Sequence, residues 1–106
     1  MIQNHPVFIE AINEKKKVWV RFYSPADNGV LERVFAPLDY GPGGEIQDGL
    51  NRYWLWDYVG NAGSQILGLT PQQIVEWQVL GELFNPADFG VRTSPWCIPR
   101  NWDSPA

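Results

Sequence analysis

The sequence predicts a mainly β domain: a short N-terminal α-helix, then a strongly bent five-stranded sheet closed into a small barrel, then an irregular C-terminal extension. Three observations carry this. Apolar and polar residues alternate with period two in several short segments separated by turn residues. Only the first stretch, with Phe8, Ala11 and Ile12 at i, i+3 and i+4, has helical spacing. The chain has 106 residues, 44% of them hydrophobic, with six Trp, four Tyr and five Phe. That length is one domain's worth and buries roughly two-thirds of its unfolded surface around a single core. Aromatic side chains build such a core from few residues.

Each element follows in order. Asn4 is placed to cap a helix over residues 6–16, with Pro6 tolerated in the first turn. Lys15, Lys16 and Lys17 then read as a solvated helix end, where cations favour the dipole. Over residues 17–23, Val18, Val20 and Phe22 alternate with Trp19 and Arg21, a half-buried strand. The turn at residues 24–29 ends in Asn28-Gly29, and residues 30–36 return as the second arm of a hairpin. Pairing Tyr23 with Val30 sets Arg21 across from Glu32 and Val20 across from Arg33, so Arg33 points toward the core side. Pro37 is expected to end this strand and residues 39–51 to form a long loop.

The strongest strand signal spans residues 52–58. Tyr53 and Leu55 take one face, and Trp54, Trp56 and Tyr58 the other. Apolar groups on both faces require cover on both, one from the barrel interior and the other from the N-terminal helix or a partner. Residues 60–63 turn into a strand over 64–69. Thr70-Pro71 marks one helical turn, and residues 74–80 form the last strand, with Val75, Trp77 and Val79 on one face. The domain runs over residues 1–83. Residues 84–106, broken by prolines yet carrying Phe84, Phe89, Trp96 and Trp102, form an extension that packs on the barrel or on a partner.

Composition narrows the function classes. The net charge is −4. Residues 1–35 hold five basic and four acidic side chains, and residues 36–106 hold three and eight. Nucleic-acid affinity rests largely on Lys and Arg neutralising phosphates, and no broad basic face is present. One Cys (Cys97) and one His (His5) exclude an intrachain disulfide and a His/Cys zinc site. The N-terminus has neither a spanning apolar run nor a signal-peptide layout, so the expectation is a cytoplasmic chain without membrane partners.

The element order, together with particular residues, resembles the WYL domain, whose barrel is of the Sm/SH3-like class. The matching stretches are Phe8-Ile9-Glu10-Ala11-Ile12, the strand over 18–23, Arg33-Val34-Phe35-Ala36-Pro37-Leu38, Tyr53-Trp54-Leu55 and the segment 69–80, together spanning roughly residues 7–80. Tyr53 precedes Trp54 where the family's naming triplet has Trp first. The arginines usual in its fourth-strand motif are absent from residues 66–74. The resemblance implies a ligand-sensing or regulatory module, of a kind found in bacterial and phage proteins, often beside a DNA-binding helix-turn-helix.

No catalytic, metal-binding or cofactor-binding set emerges. His5 lacks an identifiable partner, Cys97 lies between Trp96 and Ile98 as a structural thiol, and Asp39, Asp48 and Asp57 have no acid/base or metal spacing. The expectation is therefore a non-enzymatic binding module. Arg21, Arg33 and Arg52, with Tyr53 and Trp54, are the candidate contacts for a small anionic or nucleotide-like ligand, through bidentate hydrogen bonds and stacking. Trp19, Trp56, Trp96 and Trp102 are candidate contacts for a homodimer or a partner protein. The alternatives are an interaction barrel without a small ligand and, less favoured by the acidic charge, a barrel for single-stranded nucleic acid.

Overall fold

The computed structural model describes residues 2–42, 49–58 and 66–89. One helix, α1 (His5–Glu14), precedes five strands: β1 (Lys16–Ser24), β2 (Gly29–Gly41), β3 (Arg52–Asp57), β4 (Ile66–Leu69) and β5 (Ile74–Leu83). Short 3-10 turns occupy Pro71–Gln73 and Pro86–Phe89. All strand pairings are antiparallel, in the spatial order β4-β3-β2-β1-β5.

α1 starts one residue earlier than its sequence signal and without the expected side-chain cap. Asn4 is left-handed (φ 63°), and its carbonyl accepts the Val7 and Phe8 N–H groups at 2.9 and 3.4 Å. Lys15, also left-handed, closes the helix with its N–H turned back to the Ala11 and Ile12 carbonyls. The lysine run is therefore not a helix end: Lys16 and Lys17 already belong to β1.

The β1–β2 hairpin has the register expected from its turn: Tyr23 opposite Val30, Arg21 opposite Glu32 and Val20 opposite Arg33. β2 does not stop at Pro37. It runs to Gly41 and pairs with β3 from Phe35 onward, so the connection after it is shorter than the sequence implied. The β1 ladder has ended at Phe35, so a residue without an N–H costs little at Pro37. Leu38 is extra in the register between Pro37 and Asp39, a bulge at which this long strand can bend.

The last strand also departs from its alternation, at a bulge. Phe22 pairs with Ile74 but Arg21 with Glu76, so Val75 is the residue left over in a bulge. Ile74, Trp77 and Val79 pack on the core, whereas Val75 is rotated out and 59% exposed. Between β4 and β5, Thr70-Pro71 does open a helical turn, closed by Gln73 Oε1 accepting the Thr70 N–H at 2.9 Å.

Among the described residues the sheet is not closed into a barrel. β4 and β5 are its two edges, and no ladder joins them. Yet only four residues link Leu69 to Ile74, a reach that forces the sheet to curl. The reason closure is dispensable is α1. Phe8, Ala11 and Ile12 fill the face around which the sheet curls, in one core with Val18, Val20, Phe22, Phe35, Tyr53, Leu55 and Leu69. The helix thus covers the Tyr53/Leu55 face of β3, not the tryptophan face. The tryptophan face lies under the chain that follows β5: Phe84, 4% exposed, joins Ala36, Leu38 and Trp56 in a second apolar layer, flanked by Trp54, Tyr58 and Ile66. The Phe84 N–H donates to the Lys15 carbonyl at 2.8 Å and holds that crossing in place. Trp96, Cys97 and Trp102 lie outside the described residues, as does Asp48.

Candidate functional site

The three arginines do not converge. Arg21 stands on the face of β1 opposite the helix, between two carboxylates: Nε to Glu32 Oε2 at 3.2 Å and Nη1 to Glu76 Oε1 at 3.0 Å. Its guanidinium carbon lies 5.2 Å from the Trp19 ring. Arg33 binds Asp57, Nη1 to Oδ2 at 2.6 Å, with the carboxylate side chain only 9% exposed. Arg52 sits opposite Gly41 at the far end of β2. Eight residues of strand separate that position from Arg33, on the order of 26 Å if fully extended.

Nor are the two aromatics of β3 available as a ligand platform. Tyr53 is fully buried, and its hydroxyl accepts the Ile2 N–H at 3.0 Å while lying 2.8 Å from His5 Nδ1. A hydroxyl has one proton and two lone pairs, so it can accept the Ile2 N–H and still hydrogen-bond His5 Nδ1, with the donor set by the imidazole tautomer. Tyr40 closes this cluster, its ring centroid 4.5 Å from Tyr53 and 4.6 Å from His5. Burial lowers the His5 pKa. Burial also raises that of Tyr53, against the opposing pull of the Ile2 hydrogen bond. The arrangement fastens the N-terminal segment to the sheet. Trp54 is half-buried, its indole N–H donating to the Gly41 carbonyl at 2.9 Å. Trp56 lies 7% exposed in the second layer rather than on an open surface.

What the fold does gather is a different set. Lys17 and Trp19 from β1, with Glu32, Arg33 and Val34 from β2, line an open groove of about 660 Å³, completed by Tyr58 beyond β3 and Glu82 near the end of β5. Lys17 Nζ lies 4.6 Å from the Tyr58 ring centroid and 2.8 Å from Glu82 Oε1. Two cations and two aromatic rings thus share one concavity of a size typical for small-molecule sites. Trp19 and Arg33 were expected to take part in binding, though in different roles. Lys17 and Tyr58 were not. A lysine run after a helical stretch reads as a helix end, and only the early closure of α1 at Lys15 turns Lys17 into a strand residue. Tyr58 was legible as an outward aromatic, but not its place beside Lys17.

Among the described residues no group of three or more His, Cys, Asp or Glu side chains could hold a metal ion, and no helix is long and apolar enough to cross a membrane.

No family model matches the chain, and no curated protein matches it in sequence. Among solved structures it is similar to proteasome accessory factor B/C (PafBC) of Arthrobacter aurescens. The TM-score is 0.58 at 14% sequence identity, covering 86% of this chain and 13% of that one. At that identity the likeness shows the fold alone, a helix with a five-stranded antiparallel sheet. This chain corresponds to a small part of the larger protein.

Proposed function

We propose that this domain is a non-enzymatic, regulatory binding module whose ligand site is the groove between Lys17, Trp19, Arg33 and Tyr58. The observation that carries this reading is the convergence of two cations and two aromatic rings in one concavity of about 660 Å³. The ligand class is small, planar and anionic, nucleotide-like in its charge and ring. Arg33 holds Asp57 through one N–H and retains further donors on its guanidinium. Lys17 is paired to Glu82, whose side chain is 66% exposed. Exposed ion pairs contribute only about 0–1 kcal/mol, so a ligand anion displaces Glu82 at little cost. Trp19 and Tyr58 supply faces for a ring. The fold likeness to PafBC, by its name an accessory factor, is in keeping with a module that serves another protein's activity.

The test is a thermal-shift and tryptophan-fluorescence titration with mono- and dinucleotides at low salt. A stabilisation that disappears in Arg33→Gln and Lys17→Ala but persists in Arg52→Ala is the expected result. Absence of any shift at millimolar nucleotide, or equal loss in Arg52→Ala, would count against the groove.

A further inference from the structure

Among the described residues β5 pairs with β1 alone, which leaves the other edge of a ten-residue strand unpaired. Proteins usually blunt such an edge with Lys, Pro or an inward-facing charge. β5, with the sequence IVEWQVLGEL, has no Lys, Arg or Pro, and its exposed apolar groups stand near its two ends, Val75 at 59% and Leu83 at 61%. Its only charges are Glu76 and Glu82. Each meets a cation from β1 on its inner side, Arg21 at 3.0 Å and Lys17 at 2.8 Å, and their side chains remain 49% and 66% exposed. Across the sheet the row Glu32–Arg21–Glu76 therefore alternates in sign and stops on a negative residue at the edge.

We infer that the β5 edge is a docking site for an extended, basic segment of a partner protein, added as a sixth strand. Backbone hydrogen bonds along β5 supply the affinity, and Lys or Arg side chains beside Glu76 and Glu82 continue the alternation outward. Cross-strand pairs of opposite charge stabilise such neighbours and like charges oppose them. The same argument selects against a second copy of this strand: it brings two more glutamates to the edge and no cation. Charge complementarity thus specifies a cationic, alternating segment. The edge shares Glu82 and its Lys17 partner with the groove but not Arg33 or Glu76, so a change at Arg33 separates the two sites.

The experiment pans a random ten-residue peptide library on the immobilised full-length chain, and in parallel on the E76K/E82K variant. Circular dichroism confirms that both are folded. The wild type is expected to enrich Lys or Arg at alternating positions, and the charge-reversed variant Asp or Glu. A synthetic copy of the best basic peptide should slow hydrogen exchange at β5 amides. It should bind about fivefold more weakly to E76Q/E82Q, the scale of two exposed ion pairs. Arg33→Gln should leave this binding unchanged while removing any nucleotide response, so the two proposals fail separately. Selection without charge preference, or peptide protection at the groove rather than at β5, would overturn the inference. So would protection, already present without peptide, of the β5 amides that point away from β1: if it rises with protein concentration the occupant is a second copy, and if it is independent of concentration the occupant is the chain itself.

Discussion

Gly68 is the position at which one added methyl group should cost most. It lies opposite Trp54 in the β3–β4 ladder, and a Cβ built on it would stand 2.5 Å from Trp54 Cζ3 and 2.8 Å from both Cε3 and Cη2. Ordinary contact requires the indole to retreat by roughly an ångström. That ring is not free to move, because its N–H donates to the Gly41 carbonyl at 2.9 Å and it packs against the layer of Ala36, Leu38, Trp56 and Phe84. Overpacking costs about 1–3 kcal/mol, and a lost hydrogen bond about 0.5–1.5 kcal/mol. The reduced freedom of the unfolded chain returns about 0.4–1 kcal/mol. Gly68→Ala should therefore destabilise by about 2–3 kcal/mol, a fall of roughly 10–20 °C in Tm for a domain of this size. Urea unfolding followed by tryptophan fluorescence measures this directly. The partner variant Trp54→Leu removes the obstructing ring, so Gly68→Ala should cost much less in its presence, giving a coupling of about 1–2 kcal/mol. A Gly68→Ala protein within about 0.5 kcal/mol of the wild type would show that the indole does not lie against β4 as described.

His5 Nδ1 lies 2.8 Å from the Tyr53 hydroxyl, and its folded pKa is lowered by burial. Below the unfolded value of 6.5 the unfolded chain binds the proton more readily, so stability present above that pH is lost as pH falls through the folded pKa. Urea midpoints between pH 5 and 8 should show this slope, and His5→Asn should flatten it. A second outcome concerns the bulge in β5. Val75→Thr should change stability by no more than about 0.5 kcal/mol, whereas Val20→Thr, which buries a hydroxyl in the main core, should cost about 1–3 kcal/mol. Equal effects at the two positions would place Val75 in the core and remove the bulge.

Much of the sheet is written in local signals, and its failures are equally local. The turn at Asn28-Gly29 set the hairpin register, and with it Arg21 against Glu32 and Arg33 against Val20. Alternation placed Tyr53 and Leu55 on one side of β3 and the tryptophans on the other. What alternation cannot register is an extra residue. Val75, Trp77 and Val79 read as one face until the bulge turns Val75 outward, and Pro37 reads as a terminus until a bulge lets β2 continue past it. The binding residues were less legible for a different reason. Arg52 is next to Tyr53 and Trp54 in sequence, but proximity along a strand says nothing about which strand end it occupies, and it pairs at Gly41, far from Arg33. Closure failed as an expectation because it treated the helix as an outer cover, whereas α1 fills the concave face and removes the need for the edges to meet.

The tryptophans carry the last step. Six in 106 residues exceed what one small core hides, and an exposed partner surface was the natural expectation for Trp56. The fold offers another solution, a second apolar layer on the far side of the sheet, sealed by Phe84 over Trp56, Ala36 and Leu38. The two accounts differ in what Phe84 does. If Phe84 is a seal, Phe84→Ala should cost about 3–5 kcal/mol, the usual range for a buried Phe, and shift tryptophan emission to the red as Trp56 becomes wet. If Trp56 were held by a partner chain, the variant would lose stability only as protein concentration fell. Stability independent of concentration and lowered by several kcal/mol would assign the tryptophans of β3 to the fold. The β5 edge, with Val75, Leu83 and two glutamates, would then remain as a surface with something left to bind.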